Sequence, residues 1–132
     1  MCIFCNIKQD QIIFQNDYAL VIRDNFPVTP LHSLVIPKRH IAEYFDMTDA
    51  EILAINNLTK ETRKHILNED SSVKGFNIGI NVGQVAGQTI FHSHIHIIPR
   101  RDGDVEDPRG GIRNVIIEKG NYLEEKFNNE KS

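Results

Sequence analysis

Three histidines at alternating positions, His92, His94 and His96, are the residues of this sequence best placed to do chemistry. Side chains two apart on an extended strand share a face, so these imidazoles would project to one side and Ser93, Ile95 and Ile97 to the other. Such a row suits a metal site or a histidine nucleophile with imidazole partners; the bland reading is a surface coincidence. Members two apart on a strand stand roughly 7 Å from one another, so a metal would have to recruit a ligand from elsewhere. No Asp or Glu lies on that segment. The preceding stretch, Asn81-Val82-Gly83-Gln84-Val85-Ala86-Gly87-Gln88-Thr89, supplies glycines for close backbone approach, amide donors and two polar side chains. Alone it reads as an ordinary hairpin turn. Joined to the histidines it favours phosphoryl chemistry.

The two cysteines form one Cys-x-x-Cys, Cys2 and Cys5. A bridge between them would close almost no loop, and in a reducing compartment the spacing suggests a metal or redox role. A pair of unligated thiols is the competing reading. Arg100, Arg101, Arg109 and Arg113 surround Asp102-Gly103-Asp104 and Pro108-Arg109-Gly110-Gly111. They suit bidentate contacts to distal phosphates, or they are solvated arginines among acids.

The elements that must position these groups are short. Ile12-Ile13-Phe14 and Tyr18-Ala19-Leu20-Val21-Ile22 read as a hairpin about Gln15-Asn16-Asp17. Two prolines, Pro27 and Pro30, make the next segment a loop, and His32 to Ile36 reads as a strand that Pro37 ends or edges. Thr48-Asp49-Ala50-Glu51 has the capping-box form, with Ile52, Ile55, Leu58, Thr62 and Ile66 following at helical spacing, so one long helix is expected over roughly 48 to 68. Phe76, Ile78, Ile80 and Val82 alternate with Asn77, Gly79, Asn81 and Gly83, a strand whose second face must stay small or polar. A last strand is expected from Gln88 to Ile98, ended by Pro99, then a short strand near 113 to 117 and a short helix near 121 to 128. His65 lies in the helix and reads as a surface histidine. The pattern predicts an α+β fold, an antiparallel meander with the helix packed on one face.

With 132 residues and 40% hydrophobic content, the chain is expected to form a single domain over 1 to 132. A net charge of −3 offers no global positive field for nucleic acid or an anionic membrane, so phosphate binding must be local. The start lacks the charged and apolar regions of a secretory signal, and a cytoplasmic protein is expected.

The run Gly87-Gln88-Thr89-Ile90-Phe91-His92-Ser93-His94-Ile95-His96-Ile97-Ile98-Pro99-Arg100 resembles the signature of the histidine triad (HIT) family. The likeness extends to Cys2-Ile3-Phe4-Cys5, to Thr29-Pro30-Leu31-His32-Ser33-Leu34-Val35-Ile36-Pro37-Lys38-Arg39-His40 and to Asn81, covering residues 1 to 100 and leaving 101 to 132 as an extension. Ser93 departs from it, standing where the family prefers a hydrophobic residue.

The resemblance implies a HIT-like fold of about five antiparallel strands with one long and one shorter C-terminal helix. It implies a hydrolase acting at the α-phosphate of dinucleoside polyphosphates such as diadenosine tetraphosphate, through a nucleotidyl-histidine on His94. His96, His92 and His32 would complete the catalytic set. Asp24 would accept from ribose hydroxyls, although alone it reads equally as a turn residue. Asn81, Gln88 and Thr89 would hold substrate oxygens. Ile3, Phe4, Ile7 and Ile22 would form an apolar slot for the base, although core packing explains them equally. The zinc-bearing branch of the family implies a structural zinc on Cys2, Cys5, His40 and His92, with no organic cofactor. A homodimer is the family default. The alternatives are a nucleoside phosphoramidase, a non-catalytic nucleotide-binding zinc protein acting as sensor or adaptor, and a metal-dependent hydrolase using the histidine row as ligands.

Overall fold

The computed structural model describes residues 2–123, in which the short apolar runs become five strands: β1 (Phe14–Gln15), β2 (Ala19–Arg23), β3 (Ser33–Pro37), β4 (Val73–Gly79) and β5 (Ile95–Arg101). They form one antiparallel sheet in the order β1-β2-β3-β5-β4. Asn16 Oδ1 accepts from the backbone N–H groups of Tyr18 and Ala19 at 3.1 and 2.9 Å, closing the first hairpin as an Asx turn. The antiparallel α+β class agrees with the sequence, but the order departs from a pure meander. After the helix the chain lays down β4 at the outer edge, and β5 returns between β4 and β3. His96 therefore sits on a strand paired on both flanks.

The single long helix, α1 (Asp49–Glu69), starts where the capping box is written. Thr48 Oγ1 accepts from the Glu51 N–H at 3.2 Å, and the Glu51 carboxylate accepts from the Thr48 N–H at 2.9 Å. Ala54, Ile55, Leu58, Thr62 and Ile66 turn inward against Val21, Val35, Ile95 and Ile97. The Thr62 hydroxyl donates to the Leu58 carbonyl at 2.7 Å, so its burial leaves no unmet donor. Leu20, Ile22, Leu34 and Ile36 form a second cluster, which Phe4, Ile7 and Ile12 of the N-terminal segment cover. Residues of β2 and β3 alternate between the two clusters, so the helix covers one face of the sheet and leaves the other to the N-terminal segment. Among the described residues no helix is long and apolar enough to cross a membrane.

Several boundaries differ from the sequence reading. β5 begins at Ile95, not Gln88, and runs through Pro99 to Arg101. β3 pairs with β5 only as far as Ser33 opposite Ile97, so beyond that pair one flank of β5 carries no ladder and a residue without an N–H is tolerated. β4 starts at Val73 and stops at Gly79, short of Val82. The strand expected near 113 to 117 is replaced by 3₁₀ turns at Gly111–Val115 and Ile117–Lys119. Positive φ at Gly110 and Gly111 bends the chain there, and Arg113 donates to the carbonyls of Gly120 and Lys119, folding the segment on itself. The helix expected near 121 to 128 extends outside the described residues. His65 is only partly exposed, pairing with Glu69 at 2.8 Å and meeting the Phe14 ring edge-on.

Arg39 bonds the Glu51 carboxylate through Nη2 at 2.8 Å and Nε at 3.2 Å, tying the turn that carries His40 to the start of α1. That hydrogen bonding outweighs burial and holds the Glu51 carboxyl below its ordinary 4.5. A depressed carboxylate stabilises the fold above its unfolded pKa, and the contribution is lost as pH falls through the folded value. Glu51→Ala is expected to cost about 2 kcal/mol at neutral pH, a lost cap plus half of an ion pair discounted for the exposed arginine. Urea denaturation of both proteins at neutral and strongly acidic pH checks this, and the deficit should shrink on acidification.

Candidate active site

On the helix-free face, cross-strand pairing aligns Ile22 with Leu34, Leu34 with His96 and His96 with Gly79. The small residue beside His96 meets the sequence expectation that one face of β4 must stay small. A cleft of about 260 Å³ opens over this row. Its walls come from Ile3 and Phe4 of the N-terminal turn, from Asp24, Asn25 and Phe26 after β2, and from Asn81, Gly87, Thr89 and Ile90 of the glycine loop. His94 and His96 form part of the lining.

His94 Nδ1 lies 2.9 Å from the backbone carbonyl of His92. A carbonyl can only accept, so the ring proton sits on Nδ1 and the lone pair on Nε2. His94 and His96 stand 5.2 Å apart between ring centroids. The shared face expected for the row holds for these two, with Ile95 and Ile97 buried behind them. His92 departs from it, because residues 92 and 93 precede β5 and both are buried. Ser93 donates its N–H to the Ile41 carbonyl at 2.7 Å, while its hydroxyl is buried without a hydrogen-bond partner.

His32 is aimed by a tight turn. Its N–H bonds the Thr29 carbonyl at 3.1 Å, with Pro30 and then Leu31 at φ +72° between them, the type II arrangement. The Val28 N–H donates to His32 Nδ1 at 3.1 Å, which leaves the His32 proton on Nε2. That nitrogen is 2.9 Å from His96 Nδ1, so His96 accepts there and keeps its own proton on Nε2. Asp24 Oδ2 lies 3.4 Å from His32 Nε2, and Asp24 Oδ1 accepts from the Phe26 N–H at 2.8 Å. One backbone donor thereby fixes two tautomers.

The same reasoning separates two clusters that could hold a metal by composition. Ligand atoms of Cys2, Cys5, His40 and His92 lie within 4.8 Å of one another, as do those of Asp24, His32 and His96. A metal on His32 Nε2 would require the proton on Nδ1, where Val28 already points a donor. His92 is arranged the other way: its Nε2 donates to the Pro37 carbonyl at 2.7 Å, leaving the Nδ1 lone pair toward Cys2 Sγ at 3.3 Å and Cys5 Sγ at 3.5 Å. His40 Nδ1 is 3.2 Å from Cys5 Sγ. Tetrahedral zinc with ordinary bond lengths sets sulfur and nitrogen ligands roughly 3.5 Å apart. The four residues fit that ion.

Not every expected residue reaches the cleft. Gln88 is 2% exposed, and its amide is used within the protein: Nε2 donates to the carbonyls of Ala42 and Ile90, and Oε1 accepts from the Gly83 N–H. It shapes the glycine loop from behind. Ile7 packs under the cleft without lining it. The arginines lie elsewhere and are engaged: Arg100 with Asp104 and Asn77, Arg101 with Asp70, Arg109 with Asp107, and Arg113 with backbone carbonyls. The distal-phosphate clamp is therefore not formed. Phe26 and Asn25 line the cleft but are not singled out by the sequence reading; the available signal is their place in the loop between Asp24 and His32.

A family model described as the HIT domain matches residues 6–103. A HIT-like protein of Mycoplasma genitalium is 35% identical over 130 residues, covering 96% of this chain and 89% of its own. An adenylylsulfatase of Arabidopsis thaliana is 35% identical over 107 residues, 78% of this chain and 54% of its own. The crystal structure of a zinc-bound histidine triad family protein from Mycobacterium smegmatis matches with a TM-score of 0.72 at 33% identity, covering 80% of this chain and 79% of that one.

Burial, reinforced by His94 and His32 and opposed by Asp24, pushes the His96 imidazole from 6.5 down to about 4. Burial lowers His32 as well, with Asp24 opposing. A histidine lowered in the fold takes up a proton on unfolding, so these groups cost stability as pH falls from about 6.5 toward 4 and nothing above that window. NMR titration of the ring nitrogens is expected to give His96 a midpoint near 4 and the Nε2–H tautomer at neutral pH. A midpoint close to that of a free histidine would contradict the effect of burial, and an Nδ1–H tautomer would contradict the hydrogen-bond chain from Val28.

Proposed function

The chain belongs to the HIT domain family, and from that membership we propose that it hydrolyses nucleotides at the α-phosphate through a covalent nucleotidyl-histidine on His94. The observation that carries this reading is the bond from His94 Nδ1 to the His92 carbonyl. It leaves a free lone pair on Nε2 in the cleft and sets an acceptor where the ring will become positive.

In the first step His94 Nε2 attacks the α-phosphorus. The nitrogen–phosphorus bond forms, the bond to the leaving group breaks, and the leaving group departs with the electron pair. The cationic ring is stabilised through Nδ1–H by the His92 carbonyl. In the second step water attacks the same phosphorus and gives up a proton to solvent; the oxygen–phosphorus bond forms, the nitrogen–phosphorus bond breaks with its pair returning to His94, and a nucleoside monophosphate is released. Asn81 and Thr89 line the cleft and are assigned to the phosphate oxygens, and Asp24 to the ribose hydroxyls. Ile3, Phe4 and Ile22 are assigned to the base. His92 and His32 act as positioning residues, and the same role is assigned to Gln88.

The leaving group is constrained by His96. A neutral imidazole with its proton on Nε2 donates a hydrogen bond but is not an acid at neutral pH. Leaving groups that are stable as anions are therefore favoured over amines, which need a proton. We assign the substrate to the phosphoanhydride class, of which diadenosine tetraphosphate is an example, and the activity to the cytoplasm. The test is turnover of diadenosine tetraphosphate and adenosine phosphoramidate by wild type and His94→Ala. Wild type is expected to prefer the anhydride, and the variant to lose at least about a thousandfold in turnover, with no acid-labile phosphohistidine in rapid-quench samples. Faster phosphoramidate cleavage would reject the assignment.

We further assign a structural zinc to Cys2, Cys5, His40 and His92, supported by the donor set and by the zinc-bound relative. Four protein ligands leave no position for a reactive water, so its contribution is to brace the N-terminal segment. Elemental analysis should find one zinc per chain. Cys2→Ser should lose it and melt several degrees lower, whereas equal metal content and melting in the two proteins would refute the site.

A further inference from the structure

The three-residue turn Ile3–Cys5 is weakly held by its own backbone. Cys5 N–H reaches the Cys2 carbonyl at 3.3 Å, Asn6 N–H reaches the Ile3 carbonyl at 3.4 Å, and Asn6 Nδ2 reaches the Cys2 carbonyl at 3.0 Å. All three lie within residues 2–6, and among the described residues no main-chain hydrogen bond ties 2 to 5 to the sheet. Yet this turn supplies one wall of the cleft. Cys2 and Cys5 bracket Ile3 and Phe4, and those two side chains face the site while the thiols face His40 and His92.

Phe4 joins the two centres. Its ring stands edge-on to His94, with centroids 5.0 Å apart at 64°, and edge-on to His92 at 6.0 Å and 88°. Beneath it lie Leu20, Ile22, Leu34 and Ile36. His92 is both a member of the Cys/His cluster and the residue whose carbonyl holds His94. Two arms thus leave one cluster. The thiols set the aromatic wall, and His92 sets the nitrogen that attacks.

We infer that the Cys2, Cys5, His40 and His92 cluster, when loaded with metal, sets the affinity of the cleft for a nucleoside through the position of Phe4. The inference rests on the nucleotide and zinc assignments above and adds that the metal governs ligand grip. Without a metal holding both thiols, the turn keeps only its own three hydrogen bonds, all internal to residues 2–6, and the packing of Phe4, and the wall loses its fixed distance from His94. Phe4 is then an affinity-determining residue under metal control.

The test is a thermodynamic cycle read by calorimetric binding of adenosine 5′-monophosphate, which needs no turnover. Wild type and Phe4→Ala are each measured zinc-loaded and zinc-stripped, with folding checked by circular dichroism. Stripping zinc from wild type and replacing Phe4 in the loaded protein are each expected to weaken binding about tenfold, the scale of one lost aromatic contact. Stripping zinc from Phe4→Ala should then change little, because the wall is already gone. If the stripped protein loses its fold, the cycle is run with His40→Ala, which removes one exposed ligand. Additive losses, or binding by wild type indifferent to zinc, would overturn the inference and leave the nucleotide assignment standing. Failure of loaded wild type to bind the monophosphate would overturn both.

Discussion

The site depends on where one fully buried imidazole is held. His92 is 0% exposed and every polar group it offers toward the site has a fixed direction. Nε2 is committed to Pro37 at the end of β3, Nδ1 faces the two thiols, and the carbonyl takes the proton of His94. A proline terminates the strand it binds, and its carbonyl is the acceptor the ring uses. A leucine at 92 would preserve a carbonyl in name but not its aim, because the ring's hydrogen bond is what fixes the rotation of residues 92 to 94. The same substitution would remove a thiol partner. Packing, polarity and site geometry converge on one residue, so they cannot be altered separately.

The electrostatics follow from that burial. Imidazoles so close together cannot all be charged in a desolvated cluster, and the shifts of His92 and His96 are both led by burial and deepened by neighbouring histidines. Neutrality makes tautomers decisive, since each ring then has one donor and one acceptor. Among the described residues the cleft lining contains no lysine or arginine. An anion there must be met by neutral donors, while Arg101, Arg100 and Arg109, outside the cleft, are paired with Asp70, Asp104 and Asp107. A cation in the cleft would bind anions more strongly but would further penalise any positive charge developing on His94.

Much of this was legible in the sequence wherever a short local pattern decides the outcome. The capping box at Thr48, the hairpin turn about Asn16 and the apolar run of β2 each need only a few residues of context. The Cys-x-x-Cys, the histidine spacing and the family likeness together named all four residues of the Cys/His cluster and part of the cleft lining, including Asp24, Asn81, Thr89, His94 and His96. What was not legible depends on long-range partners. Gln88 looks like a ligand donor until Ala42, 46 residues away, takes its amide. The arginines look like a phosphate clamp until carboxylates such as Asp70 claim them. The late start of β5 has the same origin: residues 92 and 93 follow the demands of Pro37 and Ile41, and periodicity along the chain carries no trace of those partners.

Leu31 shows how local strain is balanced to aim a functional group. A left-handed leucine costs on the order of 1 kcal/mol relative to an ordinary conformation, and glycine is the usual occupant of this turn position. Three hydrogen bonds over-determine the conformation here: His32 N–H to the Thr29 carbonyl, Thr29 Oγ1 to the Pro99 carbonyl, and Ser33 Oγ to the Leu31 carbonyl at 2.8 Å. Each contributes about 1 kcal/mol net, enough together to outweigh the strain. A glycine would relieve the backbone but lose the packing of Leu31 against the main core, a contribution of about 1 to 2 kcal/mol. It would also free the turn in the unfolded chain. The strained leucine is therefore the more stable choice as well as the stiffer one. Because Thr29 is anchored to Pro99 in β5, the turn that aims His32 is referenced to the strand that carries His96, and their contact is set across a single rigid span.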